Sequence, residues 1–234
     1  MDRPGPDYPE RRVHHFAERD PGDRLHDQQR TNTAVLRSPI GHISFPSSGN
    51  GKSGTGTKTQ QIAEHIAARL RGSGLSCDAI NVKYLPASFS LNDYNSAILA
   101  ASAHIGKHEP EMVRFVGKNS DRLEQMRTAF LSVSLAQAGV QDRNITPERR
   151  EAAAADVKKM IGAFLAKTKW RPTRAEPVAG GLMYSKYNWF IRFVMKRIAR
   201  RAGASTDTSR DHEFTDWVAL DRFVNEFAAL VKSG

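Results

Sequence analysis

Ser47-Ser48-Gly49-Asn50-Gly51-Lys52-Ser53-Gly54-Thr55-Gly56-Thr57-Lys58-Thr59 is the stretch on which the reading of this chain turns. Four glycines and six hydroxyl side chains in thirteen positions leave no period of either 2 or 3.6. Directly after it, Ile62, Ile66 and Leu70 fall at i, i+4 and i+8, with Ala63 and Ala67 beside them. That spacing predicts a helix with one buried stripe, ended by Gly72-Ser73-Gly74. A glycine-rich loop that opens a helix is an anion site, because its backbone N–H groups point outward and the helix dipole favours negative charge. Hydroxyls of Ser53, Thr55, Thr57 and Thr59 would add hydrogen bonds to phosphate oxygens.

Several uses compete for such a loop. Gly51-Lys52-Ser53 ends like a Walker A loop, but that motif needs a glycine five residues before Gly51, and Pro46 stands there. No strand ending in a metal-binding Asp accompanies it. Gly49, Gly51 and Gly54 match a dinucleotide fingerprint letter for letter, yet the helix starts several residues too late. A surface loop with no ligand is the bland reading. A monophosphate cofactor fits better than either nucleotide motif, since it requires neither a lysine nor a metal.

Outward from the loop, short apolar runs alternate with helical patterns. Cys77 to Leu85 reads as a strand, and Ala97 to Ser102 as a strand buried on both faces. Glu111 to Lys118 begins a helix, Thr128 to Leu135 reads as a strand, and Pro147 to Lys167 as a long helix with Pro147 at its first position. Ala175 to Gly181 is a last short strand, and Thr215 can cap a final helix whose apolar face runs from Trp217 to Leu230. Strand and helix alternate throughout, which predicts a doubly wound α/β sheet with its ligand outside the carboxyl ends of the strands. Ser/Thr-rich loops of this kind cradle the FMN phosphate in flavodoxin-like folds, and the sheet is expected to be that type: parallel, five-stranded, order 2-1-3-4-5.

The 234 residues hold 35 Lys and Arg against 25 Asp and Glu, a formal charge of +10. No run approaches the length a spanning helix needs. Cys77 is the single cysteine, which excludes a disulfide scaffold and a thiolate zinc site, and no metal is expected. Residues 1–38 carry Pro4, Pro6, Pro9 and Pro21 among scattered charges and read as a disordered extension without an apolar signal region. A cytoplasmic protein is expected, with its folded domain over residues 39–234.

The excess charge has an address. Between Pro177 and Thr206 stand six basic residues and no acid: Lys186, Arg192, Lys196, Arg197, Arg200 and Arg201. Arg192, Lys196 and Arg200 fall at i, i+4 and i+8, while Phe190, Val194 and Ile198 form an apolar stripe and Trp189 sits at its start. A cationic face, an apolar face and a bordering aromatic suit the surface of an anionic membrane. The alternatives are a scaffold helix with a solvated basic rim, or contact with the carboxylates of an anionic substrate. No nucleic-acid motif accompanies the stripe, and no nucleic-acid partner is expected.

Taken together, Lys169-Trp170-Arg171-Pro172, Gly180-Gly181-Leu182-Met183-Tyr184-Ser185-Lys186-Tyr187-Asn188-Trp189-Phe190, and Thr206-Asp207-Thr208 followed by Phe214-Thr215-Asp216-Trp217 resemble the flavodoxin-type, quinone-dependent protoporphyrinogen oxidase family. Upstream, residues 101–108 and 128–135 resemble its third- and fourth-strand loops. The resemblance covers roughly residues 53–230. It implies noncovalent FMN, with the phosphate at Ser53, Gly54, Thr55, Gly56, Thr57, Lys58 and Thr59. The ring would be flanked by Ser102, Ala103, His104, Ile105 and Gly106 on one side and by Phe130, Ser132, Val133, Ser134 and Leu135 on the other. It implies oxidation of protoporphyrinogen IX to protoporphyrin IX in three two-electron steps, with menaquinone or ubiquinone in the membrane as acceptor. Trp189, Arg192, Lys196, Arg197, Arg200 and Arg201 would meet membrane or substrate, and the protein would sit peripherally on the inner face of the cell membrane.

No catalytic acid or base can be named; His104 and His108 are either proton shuttles or ordinary loop histidines. The first strand of such a fold is expected near Ile40-Gly41-His42-Ile43-Ser44-Phe45, hemmed by Pro39 and Pro46. The basic segment is expected as an insertion over about 182–214. A general flavodoxin-like electron carrier, a quinone reductase and a flavin-free basic binding module remain the other readings, and a homo-oligomer is compatible with all of them.

Overall fold

A computed structural model describes residues 33–37, 57–182 and 212–233. Its centre is a sheet of mostly parallel strands. β1 is Thr33–Arg37, β2 Cys77–Asn81, β3 Ser96–His104, β5 Arg127–Ser134 and β6 Arg174–Ala179, while β4, Lys107–His108, is a short return strand on β3. They are arranged β2-β1-β3-β5-β6. β3, β5 and β6 are parallel, as the helical crossovers between them require. β1 is antiparallel to both its neighbours, with Val35 opposite Ala79 on one side and Ile98 on the other.

This corrects two expectations. The sheet is not parallel throughout, and the strand in the β1 position is 33–37, inside the span read as an extension. Thr-Ala-Val-Leu-Arg has aliphatic and β-branched residues and no proline, which suits a central strand. Residues 40–45 lie outside the described residues.

Helices cover both faces. α1 is Lys58–Gly72, α2 Pro110–Glu124, α3 Leu135–Gln141, α4 Pro147–Thr168 and α5 Trp217–Lys232. β3 shows why the sheet holds two layers. Ser96 to Ala101 are all buried, and period-2 alternation sends them to opposite sides. Ile98 and Ala100 join Ile62, Ile66 and Leu70 of α1 and Phe223, Val224 and Phe227 of α5 in one cluster. Ala97, Leu99 and Ala101 join Met112, Phe115 and Val116 of α2 and Phe164 of α4 in the other. Ile62 and Ile66 are fully buried, each stabilising the fold by about 1.5–3 kcal/mol relative to exposure.

The helix ends follow local chemistry. Thr57 caps α1 by accepting from the Gln60 N–H at 3.4 Å, and Gly74 lets the chain leave with φ +80°. Thr146 and Pro147 start α4 together. α5 is capped by Asp216, which accepts from the Ala219 N–H at 2.9 Å; Thr215, the expected cap, is buried and donates to the Ala179 carbonyl instead. Asn119 breaks the regularity of α2 (φ −117°, ψ 16°), its side-chain N–H donating to the Phe115 carbonyl at 2.7 Å.

α3 and β4 are too short for a sequence period to register. β2 stops at Asn81, and a 3-10 turn, Val82–Tyr84, carries the rest of the predicted strand. β7, Gly181–Leu182, pairs antiparallel with β8, His212–Glu213; residues 183–211 lie outside the described residues.

Candidate active site

The site is built where α1 begins and β3 and β5 end. The first turn of α1 carries no acid to offset the positive end of its dipole, and the cation Lys58 adds to it. The Thr57 hydroxyl oxygen accepts from the Gln60 N–H, and a hydroxyl that accepts in this way still carries one proton to donate. Thr59 is almost fully buried, its hydroxyl in hydrogen-bond contact with that of Ser102. That bond ties the first turn of the helix to the end of β3. The Lys58 ammonium reaches back to Glu213 of β8 at 2.9 Å, donates to the Gln61 side chain at 2.8 Å, and lies 5.7 Å from the Trp217 ring centre. The β7–β8 pair is thus fastened to the first turn of α1.

β3 leaves the core at Ser102. Ser102 and Ala103 are half-buried and His104 is exposed. A two-residue turn at Ile105 and Gly106 follows, with φ +49° and +75°, the geometry of a tight hairpin whose twist matches its strands. Gly106 adopts it freely; Ile105 is β-branched and 98% exposed, so the conformation carries a cost that no burial offsets. His104 Nε2 stands 3.6 Å from Glu109 Oε1, beyond hydrogen-bond range, and the Glu109 side chain is 2% exposed.

His108 lies beneath this turn. Its Nε2 and the Ser132 hydroxyl are 2.8 Å apart, and its ring meets Phe130 and Phe164 edge-on at 5.2 and 5.0 Å. Burial first, and the neighbouring His104 second, push its pKa down to about 4. It is therefore neutral at physiological pH and acts as a fixed hydrogen-bond partner.

β5 ends without a loop. Ser132 and Val133 are buried, Ser134 caps α3 by accepting from the Gln137 N–H at 3.2 Å, and Leu135, partly exposed, is already helical. Gly180 passes close above, its N–H donating to the Ser134 carbonyl at 3.0 Å; a Cβ there would lie 3.4 Å from Val133.

Of the residues singled out by sequence, Thr57, Lys58, Thr59, Ser102, Ala103, His104, Ile105, Gly106, Ser134 and Leu135 gather on this one edge. Phe130 does not: it is fully buried and stacked on Phe164 at 4.3 Å, because its position in the strand points it into the α2/α4 layer. Val133 packs into the opposite cluster and the Ser132 hydroxyl is engaged by His108, so both support the edge from below. Ser53, Gly54, Thr55 and Gly56, and Trp189, Arg192, Lys196, Arg197, Arg200 and Arg201, lie outside the described residues. Sequence reading passed over Glu109 and Glu213. Glu109 had a signal, an acid directly before the proline that opens a helix; Glu213 had none.

The donor set suits a phosphomonoester: an acid-free helix start, the Thr57 hydroxyl at its cap, and a lysine alongside. Ser102 and Ala103, next to the turn, carry small side chains and are half-buried. No group of metal-binding side chains occurs among the described residues, and no helix there is long and apolar enough to cross a membrane.

A flavodoxin-domain family profile matches residues 52–209. Protoporphyrinogen IX dehydrogenase [quinone] of Escherichia coli K12 is 32% identical over 173 residues, which span 74% of this chain and 90% of that protein. The chain belongs to this family. A relative of the same name from Leishmania major is 30% identical over 74% of the chain and 70% of its own length. No solved structure gives a significant match. The family's members are flavodoxin-like oxidoreductases, and the α/β layers, the helix-opening turn and the two strand ends described above are the framework of such a flavoprotein.

Proposed function

We propose that the chain binds FMN and oxidises protoporphyrinogen IX to protoporphyrin IX, with a membrane quinone as the final acceptor. The observation that carries this reading is the meeting of the acid-free α1 terminus with the β3 and β5 ends, joined through Thr59 and Ser102. Kinship with relatives named for this reaction supports the choice of substrate and acceptor.

The residues divide the work by position. Thr57 and the first-turn N–H groups of α1 would hold the phosphate, with Ser53 to Gly56 completing the loop. Ser102 to Gly106 would flank one side of the ring, and Ser134 with Leu135 the other. Bound FMN supplies the two-electron redox chemistry. Six hydrogens leave the porphyrinogen in three steps, and three quinones become three quinols. His104, exposed at the turn, is placed to pass protons to water, whereas His108 holds Ser132 and the strand ends in place. The excursion at 183–211, fixed at its base by β7, β8 and the Lys58–Glu213 pair, would bring its basic face to an anionic membrane where the quinone resides.

Anaerobic turnover of protoporphyrinogen IX by the FMN-reconstituted protein, with menaquinone and then ubiquinone as acceptor, tests the reading. Flavin reduction by substrate and reoxidation by quinone are expected; flavin left oxidised by the substrate, or reduced flavin left unoxidised by both quinones, would refute it. Neutralising Arg192, Lys196 and Arg200 together is expected to weaken binding to anionic vesicles.

A second reading, a flavin-free basic binding module, draws on one observation. β1 ends at Arg37 beside Cys77 and Ser96, on the edge opposite the α1 terminus, so the phosphate loop does not spring directly from a parallel first strand. The flavin content of the purified protein separates the two.

A further inference from the structure

A cleft of about 650 Å³ lies between α2 and the segment that joins β2 to β3. Its lining combines two chemistries. Phe89, Phe115, Leu85 and Pro86 give it an apolar side; Phe89 stands 6.2 Å from Phe115 and packs on the core. The other side is cationic. Arg114, Lys118 and Arg122 fall at i, i+4 and i+8 on α2, one row along the wall, and Lys83 lies across from them.

Such a row is unfavourable for a helix on its own, since like charges four residues apart repel. Glu111, at 3.3 Å from Arg114, is the one carboxylate in the lining. Arg122 donates to the Tyr94 carbonyl at 2.6 Å, but its Nε is buried and has no hydrogen-bond partner among the described residues. A buried, unsatisfied donor of a cation is costly unless an anion meets it. Arg114 and Arg122 stand about two helical turns apart, on either side of the irregularity at Asn119, further than one carboxylate reaches.

We infer that this cleft binds an apolar, ring-bearing ligand that carries at least two carboxylates. The apolar wall receives the ring and the α2 row receives the carboxylates. The choice of a porphyrin dicarboxylate as that ligand rests on the function proposed above; the existence of a dicarboxylate site does not. One end of the cleft, at Lys83 and Glu111, lies at the same sheet edge as the flavin site, because β2 ends and α2 begins there. The cleft is thereby placed to hold substrate or product near that edge.

The test is fluorescence titration of the full-length protein, without added flavin, with deuteroporphyrin IX and with its dimethyl ester. The acid is expected to bind and the ester to bind at least about tenfold more weakly, the loss that charge-assisted hydrogen bonds imply. The double variant Arg114→Gln/Lys118→Gln sits on exposed positions and relieves repulsion, so it is expected to fold. It should weaken the acid by a similar factor and leave the ester unchanged. Equal binding of acid and ester, or an unaltered affinity in the double variant, would overturn the inference. So would loss of binding on neutralising Arg192, Lys196 and Arg200 while the cleft variant binds normally. Absence of turnover with intact, cleft-dependent binding would count against the proposed function and leave the site standing.

Discussion

β1 and β3 lie side by side in the sheet and could hardly differ more. β3 is buried from Ser96 to Ala101, runs parallel to β5, and delivers Ser102 to His104 to the edge where α1 begins. β1 contributes backbone pairing to both neighbours but runs the other way, ending at the opposite edge. Among the described residues, that edge is assembled from Thr57 onward, and the bond between Thr59 and Ser102 joins α1 to β3 there. A strand can fill the sheet without carrying the site.

The comparison can be broken most forcefully from the β3–β5 side. Phe130→Ala removes a fully buried ring stacked on Phe164 and edge-on to Trp170, and should cost about 3–5 kcal/mol in urea denaturation. Loss of FMN binding should follow from loss of the fold.

Acid attacks the same layer. His108 titrates near 4 in the folded protein against an ordinary 6.5, so the unfolded chain takes up the proton first. Stability should be intact above about pH 6.5 and fall progressively toward pH 4, by a total of about 3 kcal/mol. Denaturation midpoints across that range should show the fall, and His108→Gln should flatten it.

β1 answers to a backbone change. Val35→Pro deletes one N–H from a strand paired on both sides, and a cost of about 1–3 kcal/mol is expected. An unchanged midpoint would remove β1 from the centre of the sheet.

Smaller effects sharpen the account of the edge. Thr57→Ala should lose about 1 kcal/mol of cap stability and weaken FMN, while Thr57→Ser keeps both. Glu213→Gln breaks a partly exposed pair and should change stability by less than about 1 kcal/mol. It frees Lys58 for the phosphate, so FMN affinity should rise slightly, as read by flavin fluorescence quenching.

Much of this was legible from residue pattern. The continuous run at Ala97 to Ser102 and the 3.6-period stripes of α1, α4 and α5 mark elements whose tertiary packing agrees with their local preference. β1 was not, because a five-residue strand preceded by a proline-rich stretch carries no period long enough to stand out, and direction leaves no trace in a strand's composition. Phe130 was misplaced for a different reason. A motif names a segment, but the pleat decides which of its residues face the crevice, and alternate positions of β5 point to opposite layers. Thr59 is read from the sequence as part of the phosphate loop and Ser132 as flanking the ring, while the hydrogen bonds that engage them, to Ser102 and His108, join residues far apart in sequence.

The most direct test of the central claim is a titration of the purified, flavin-free protein with FMN, followed by absorbance and fluorescence. The account predicts saturable binding of one FMN per chain, with a shifted visible spectrum, weakened by Thr57→Ala and restored by Thr57→Ser. A visible spectrum identical to that of free FMN at every ratio, with no quenching, would contradict it.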